Sequence, residues 1–173
     1  MIVSEHTIRD IVATIPQIRL NAGTTRYPKF HWGDEDELNR YVQIMKLDSY
    51  PLIWLLPSTD NYEGSTGQDL TKECNFIIAT RETRQDLFNN ERYKKSFDII
   101  LQPLTERLIH GLTVSSLTSR IGDNWKILKL PNYSAESKEN GTIDLWDAIS
   151  LTIDIRFNSN SKNCLNPINY GSN

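Results

Sequence analysis

Ile149-Ser150-Leu151-Thr152-Ile153-Asp154-Ile155-Arg156-Phe157 alternates apolar and polar residues over nine positions. A period of two places the five apolar side chains on one face of a β-strand and the four polar ones on the other. The apolar set is largely β-branched or aromatic, so strand propensity agrees with the pattern. A strand of this kind covers a core with one face and meets water or a partner chain with the other. It is the last ordered element expected, because residues 158–173 are rich in asparagine and have no periodicity.

The remaining elements are read outward from this strand. Phe97, Leu101, Leu104, Leu108 and Leu112 are spaced four, three, four and four, with Tyr93 extending the stripe backwards. This spacing predicts the longest helix, from about Asp86 to Leu112. Pro103 should bend or divide it near Ile100, and Gly111 should mark its end. Tyr50-Pro51-Leu52-Ile53-Trp54-Leu55-Leu56-Pro57 is apolar at consecutive positions, which predicts a strand covered on both faces. Glu73 to Arg81 is the returning strand, and the two should pair antiparallel. Between them residues 58–70 read as a loop longer than hairpins usually have, and long loops are often functional.

Two helices are expected before this hairpin. Ile8, Ile11, Val12 and Ile15 form an apolar stripe, with Ser4 or Thr7 as its cap and Pro16 kinking or ending it. Residues 21–25 read as a loop. Asp34 followed by Glu37 is a capping-box signature. Leu38, Tyr41, Val42 and Met45 then give a short docked helix over about 35–46. Trp125 to Leu130 is a further short strand and residues 132–142 a loop. The whole predicts an α+β fold, an antiparallel β-sheet with helices packed on one face. Residues 1–157 form the single domain, and 158–173 form a flexible tail.

Composition narrows the function. At 173 residues the chain is long enough to bury a core without disulfides or metal. A net charge of −3 provides no bulk basic field for nucleic acid. Cys74 and Cys164 make no disulfide framework and read as two thiols in a reducing compartment. No run approaches a membrane span, and Met1 to His6 lacks the features expected of a signal peptide. His6, His31 and His110 lack metal-ligand spacing. His31, beside Trp32 and Asp34, reads as a structural or interface residue before a catalytic one. The run Asp34-Glu35-Asp36-Glu37 reads as a helix start before a cation site. Ser65-Thr66-Gly67 lacks the glycines of a nucleophile elbow. Trp54 reads as core, Trp125 and Trp146 as core or subunit contact, and Trp32 as an exposed anchor at a partner surface. No cofactor is expected.

A leading helix precedes the strand led by Tyr50-Pro51. Asn75-Phe76-Ile77-Ile78-Ala79-Thr80 follows a long loop. A helix begins near Phe97-Asp98-Ile99-Ile100 with a proline behind it, and Leu145-Trp146-Asp147-Ala148-Ile149 enters the closing strand. This order and wording resemble the small tail-terminator, tail-completion and neck proteins of tailed bacteriophages, over most of residues 5–157. The resemblance implies a virion protein, made in the host bacterial cytoplasm, that is structural and not an enzyme. Its copies would form a closed ring, six-fold or twelve-fold, where tail joins head. The partners implied are other copies, the portal, and adjacent neck or tail-tube proteins. DNA would pass through the channel without specific binding, and no membrane is involved. On this reading Trp32, the 58–70 residues Asp60, Tyr62, Glu63 and Asp69, and the tail residues Lys162 and Tyr170 are the candidate ring contacts. Two alternatives stand beside it: a monomeric binding module presenting residues 58–70, and an enzyme of unrecognised type.

Overall fold

The structure, a computed structural model, describes residues 3–20, 23–45, 49–63, 69–81, 89–131, 133, 146–158 and 170. The chain runs α1 (Ser4–Val12), β1 (Ile18–Arg19), β2 (Thr25–Arg26), β3 (Lys29–Trp32), α2 (Glu35–Met45), β4 (Leu52–Leu56), β5 (Asp60–Glu63) and β6 (Asp69–Arg81). It continues with α3 (Asn89–Arg92), a π-helical segment (Tyr93–Leu101), α4 (Gln102–Val114), β7 (Thr118–Leu130) and β8 (Trp146–Asn158). The fold is α+β. Among the described residues, six strands make one sheet in the order β3-β4-β6-β8-β7, with β5 pairing onto β6 beside β4, and β1 and β2 form a separate small hairpin.

The closing strand behaves as its pattern requires. Ile149, Leu151, Ile153, Ile155 and Phe157 are buried with Phe97, Leu101, Leu104 and Leu108 in the main core. Ser150, Thr152, Asp154 and Arg156 lie on the opposite, wetter face. The alternation stops at Ala148 and Trp146, both buried, because a second core lies there on the other side of the sheet. That core holds Leu38 and Val42 of α2 against Leu52, Trp54, Ile77 and Ala79. The helices are therefore not confined to one face. The first face carries α1, the π-helical segment and α4, and the second carries α2. This division explains β4, whose Ile53 and Leu55 enter the first core while Leu52 and Trp54 enter the second. Each such side chain, fully buried, contributes roughly 1.5–3 kcal/mol.

The sheet is mixed and not purely antiparallel, because β3 runs parallel to β4, with Phe30 opposite Ile53 and Trp32 opposite Leu55. The expected pairing of β4 with β6 is antiparallel as predicted, Ile53 opposite Ile78. The 58–70 stretch is not a loop throughout. Asp60–Glu63 is a strand antiparallel to the start of β6, which begins at Asp69 and not at Glu73.

The local signals at the helix ends hold only in part. The α2 capping box is present: Glu37 N donates to Asp34 Oδ1 at 2.8 Å and Asp34 N donates to Glu37 Oε2 at 3.2 Å. Gly33 just before it has φ 148°, and a Cβ there would overlap the Glu37 carboxylate. This tight turn from β3 into α2 needs glycine. Neither Ser4 nor Thr7 caps α1. Val3 stands at the cap position, and Ser4 is buried inside the first turn. Pro103 falls where the winding changes from π to α, and Gln102 N donates to Phe97 O, five residues back. Gly111 does not end the helix, which runs to Val114. A Cβ at Gly111 would lie 2.9 Å from Tyr170 Oη and 3.0 Å from Ile11 Cγ2, so the glycine serves close packing. The predicted helical start at 86, the 132–142 loop except Tyr133, and the 158–173 tail except Asn158 and Tyr170 lie outside the described residues.

Candidate functional site

The chemically densest point among the described residues is Lys72. It lies on β6 opposite Ile155, so it faces the helical layer, and it is buried beneath the first turn of α1. Its Nζ donates to Ser4 Oγ at 3.2 Å and Glu5 Oε1 at 2.9 Å, and pairs with Asp60 Oδ1 at 2.8 Å. An ammonium has three donors, and three acceptors surround it. Burial pushes the Lys72 pKa down, but hydrogen bonds and charge from Asp60 and Glu5 outweigh it, and the net shift is upward. Burial pushes Glu5 up, but Lys72 outweighs it and Glu5 ends below its ordinary value. An ammonium held this firmly in its charged form is unsuited to act as nucleophile or base. The cluster is a clamp joining α1, β5 and β6.

The clamp has a pH window. Glu5 is lowered in the folded chain, so its contribution is complete above about 4.5 and is lost as pH falls through the folded value. Lys72 is raised, so its contribution is complete below about 10.5 and is lost as pH rises through the folded value. Thermal melting across pH is expected to show a plateau between these limits, and Lys72→Met should flatten both shoulders. Unchanged shoulders in that variant would show that other groups set them.

Two residues on, Cys74 is fully buried, and burial pushes its thiol up to about 12. Thiolate reactivity should therefore be suppressed. In a Cys164→Ser variant, a thiol reagent at pH 8 is expected to leave Cys74 unlabelled until denaturant is added. Rapid labelling of the native chain would contradict its burial.

The predicted contact residues do not form one patch. Trp32 is 43% exposed, at the end of an edge strand and not in a loop, with His6 and Phe30 at ring distances of 6.0 and 5.8 Å. Asp60 is turned toward Lys72, with 32% of its side chain still exposed. Tyr62, on β5, is 45% exposed. Consecutive residues of α1 link these places, since Glu5 reaches Lys72 and His6 reaches Trp32. Glu63 and Asp69 are register partners closing the β5–β6 pairing, and their side chains lie outside the described residues, as does Lys162. Tyr170 lies elsewhere, on the helical layer. Its hydroxyl is 2.8 Å from Thr14 Oγ1, and His110 meets its ring edge-on. That residue of the tail is docked on its own chain. His31 stacks against Tyr41 and Trp54, and burial, then Lys29, lowers its pKa.

The feature that sequence reasoning misses is β7. Among the described residues it ends the sheet, with β8 on one side and no strand on the other. Trp125 is 41% exposed, Ile127 42% and Leu128 59%. Trp125, Ile127 and Lys129, with Gln102, Thr105, Glu106 and Ile109 of α4, line a mostly apolar groove of about 320 Å³. Lys129 Nζ lies 5.6 Å and 5.8 Å from the ring centres of Tyr93 and Phe97. The sequence signal is the run Trp125 to Leu130, but nothing in it marks the strand as an edge.

Among the described residues, no group of three or more His, Cys, Asp or Glu is placed to hold a metal ion. No described helix is long and apolar enough to cross a membrane. No protein-family model matches the chain, and no curated protein matches it either.

Proposed function

We propose that this chain is a repeated structural subunit of a tailed-bacteriophage particle, a tail-terminator or neck protein forming a ring at the head–tail junction. The observation that carries this reading is that, among the described residues, the sheet ends in two edge strands that both expose apolar side chains, Trp32 on β3 and Trp125, Ile127 and Leu128 on β7. Unpaired strand edges with exposed apolar side chains invite pairing with another chain. The order of elements, from the leading helix through the Tyr50-Pro51 strand to Trp146 and the closing alternation, adds the resemblance to phage tail and neck proteins. The role proposed is structural and non-catalytic. On this reading the chain lies in the virion, beside the portal or tail tube, with DNA passing through the ring.

The competing module that presents residues 58–70 has less support. Asp60–Glu63 and the start of β6 are paired strands, and Lys72 clamps them to α1. Particles purified from the infected or induced host test the proposal. Quantitative mass spectrometry is expected to find the chain at six or twelve copies per particle, and disrupting its gene should leave filled heads separate from tails. A chain missing from purified particles would sink it.

A further inference from the structure

We infer that copies of this chain join head to tail, the β7 edge of one copy pairing with the β3 edge of the next. The inference deepens the ring reading above and rests on it. It places the contact on a strand outside the 58–70 and 158–173 segments.

Three observations converge on a second copy as the occupant of the β7 edge. The first is direction. β3 is parallel to β4, while β4–β6, β6–β8 and β8–β7 are all antiparallel. Three reversals make β3 antiparallel to β7. A neighbour in the same orientation thus brings its β3 to β7 as an ordinary antiparallel partner.

The second is the face. Trp125 stands opposite Ile153 and Ile127 opposite Leu151, so both lie on the helical face of the sheet. Trp32 stands opposite Leu55, which is on that same face. Joining the edges sets the exposed indole of β3 beside the exposed indole and isoleucine of β7. The core-facing layer then continues from copy to copy over the groove against α4.

The third is charge. From Trp125 to Pro131 the chain carries Lys126 and Lys129, with Asp123 the nearest acid on β7. Beyond the end of β3 come Asp34, at the cap of α2, and Glu35, Asp36 and Glu37 in the first turn of that helix, all exposed, with the helix covering the other face. Lys126, opposite Thr152, points to that other face. In the antiparallel arrangement the end of β3 meets the start of the 125–130 run. Asp34, two residues past β3, therefore arrives at the same end as Lys126, while Glu35 lies near Tyr133 of its own chain. A contact between two different edges is heterologous, and such contacts close into rings when the rotation allows.

The test uses the full chain and two variants altered only at exposed positions. Lys126→Glu with Leu128→Glu blocks the β7 edge, and Trp32→Glu blocks the β3 edge. Circular dichroism first establishes that each variant folds. Mass is then read by light scattering and native mass spectrometry from micromolar to millimolar concentration. The unaltered chain is expected to assemble, and each variant alone to weaken assembly by at least about 30-fold, the effect of losing one interface anchor. The two variants mixed are expected to form a one-to-one heterodimer and nothing larger, because one intact edge remains on each.

A β7-edge variant that still assembles would overturn the inference while leaving the ring reading standing. So would a Trp32→Glu chain that assembles normally by itself, since the β3 edge would then not be a contact. A mixture that stays monomeric, or an unaltered chain monomeric throughout, would also overturn it. The ring reading itself is decided separately, by copy number in particles.

Discussion

Replacing Asp147 by alanine is expected to lower the unfolding free energy by about 3–5 kcal/mol, enough to leave a domain of this size marginal. Asp147, the second residue of β8, is fully buried and faces the helical layer. Its Oδ1 accepts from Arg92 Nη1 at 3.4 Å, and the Arg92 side chain is 3% exposed. Arg92 is the last residue before the π-helical segment, so the pair fastens the start of the helical layer to the start of the closing strand. Removing the carboxylate leaves a guanidinium buried without its counter-charge, and that penalty exceeds the worth of the bond itself. Replacing both residues, Arg92→Met with Asp147→Leu, should recover part of the loss, because the guanidinium is then no longer buried without its counter-charge. Urea unfolding measures both. A single variant losing under about 1 kcal/mol would mean that Arg92 reaches water or another carboxylate, against its burial.

Leu104→Ala is expected to cost about 2–5 kcal/mol. Leu104 is completely buried where α4 crosses the sheet, in one cluster with Phe97, Leu101, Leu108, Leu151 and Ile153. The backbone of α4 cannot collapse into the vacated space without moving Pro103 and the π-to-α change beside it, so a cavity should persist. Ile99, on the same helical run, is 47% exposed, and Ile99→Ala should cost no more than about 0.5 kcal/mol. Equal losses at the two positions would show that the stripe is not what anchors the helix.

The Leu104 prediction rests on a pattern legible in the order of residues alone. The 149–157 alternation, the stripe from Phe97 to Leu112 and the Asp34–Glu37 capping box each involve residues within a few turns of one another. Their physics is local, so the sequence is enough to read them. The two-sided burial of Leu52 to Leu55 is also legible, as an unbroken apolar run. What the run does not say is which helix lies on which side. That depends on α2 crossing the second face while α1 and α4 take the first. The Arg92–Asp147 pair has no such local signature, because its two charges lie 55 positions apart.

The candidate surface is less legible. Trp32 is exposed, as its sequence context suggests, but it belongs to a four-residue strand too short to show a period, whose parallel partner lies some twenty positions on. Asp60 reads as a loop acid along the chain, and only in space do the distant Lys72 and Glu5 surround it. Tyr170 reads as part of an unattached tail, yet the fold brings Thr14 and His110 beneath it.

Periodicity and capping act between near neighbours, and so the elements and their apolar faces are written into the order of residues. The mixed strand order, the division of helices between two faces, and the place of β7 at the end of the described sheet belong to the folded chain alone. Those follow from pairings between distant segments, where the gain of contact must exceed the entropy of bringing them together, and no short stretch of residues records that balance.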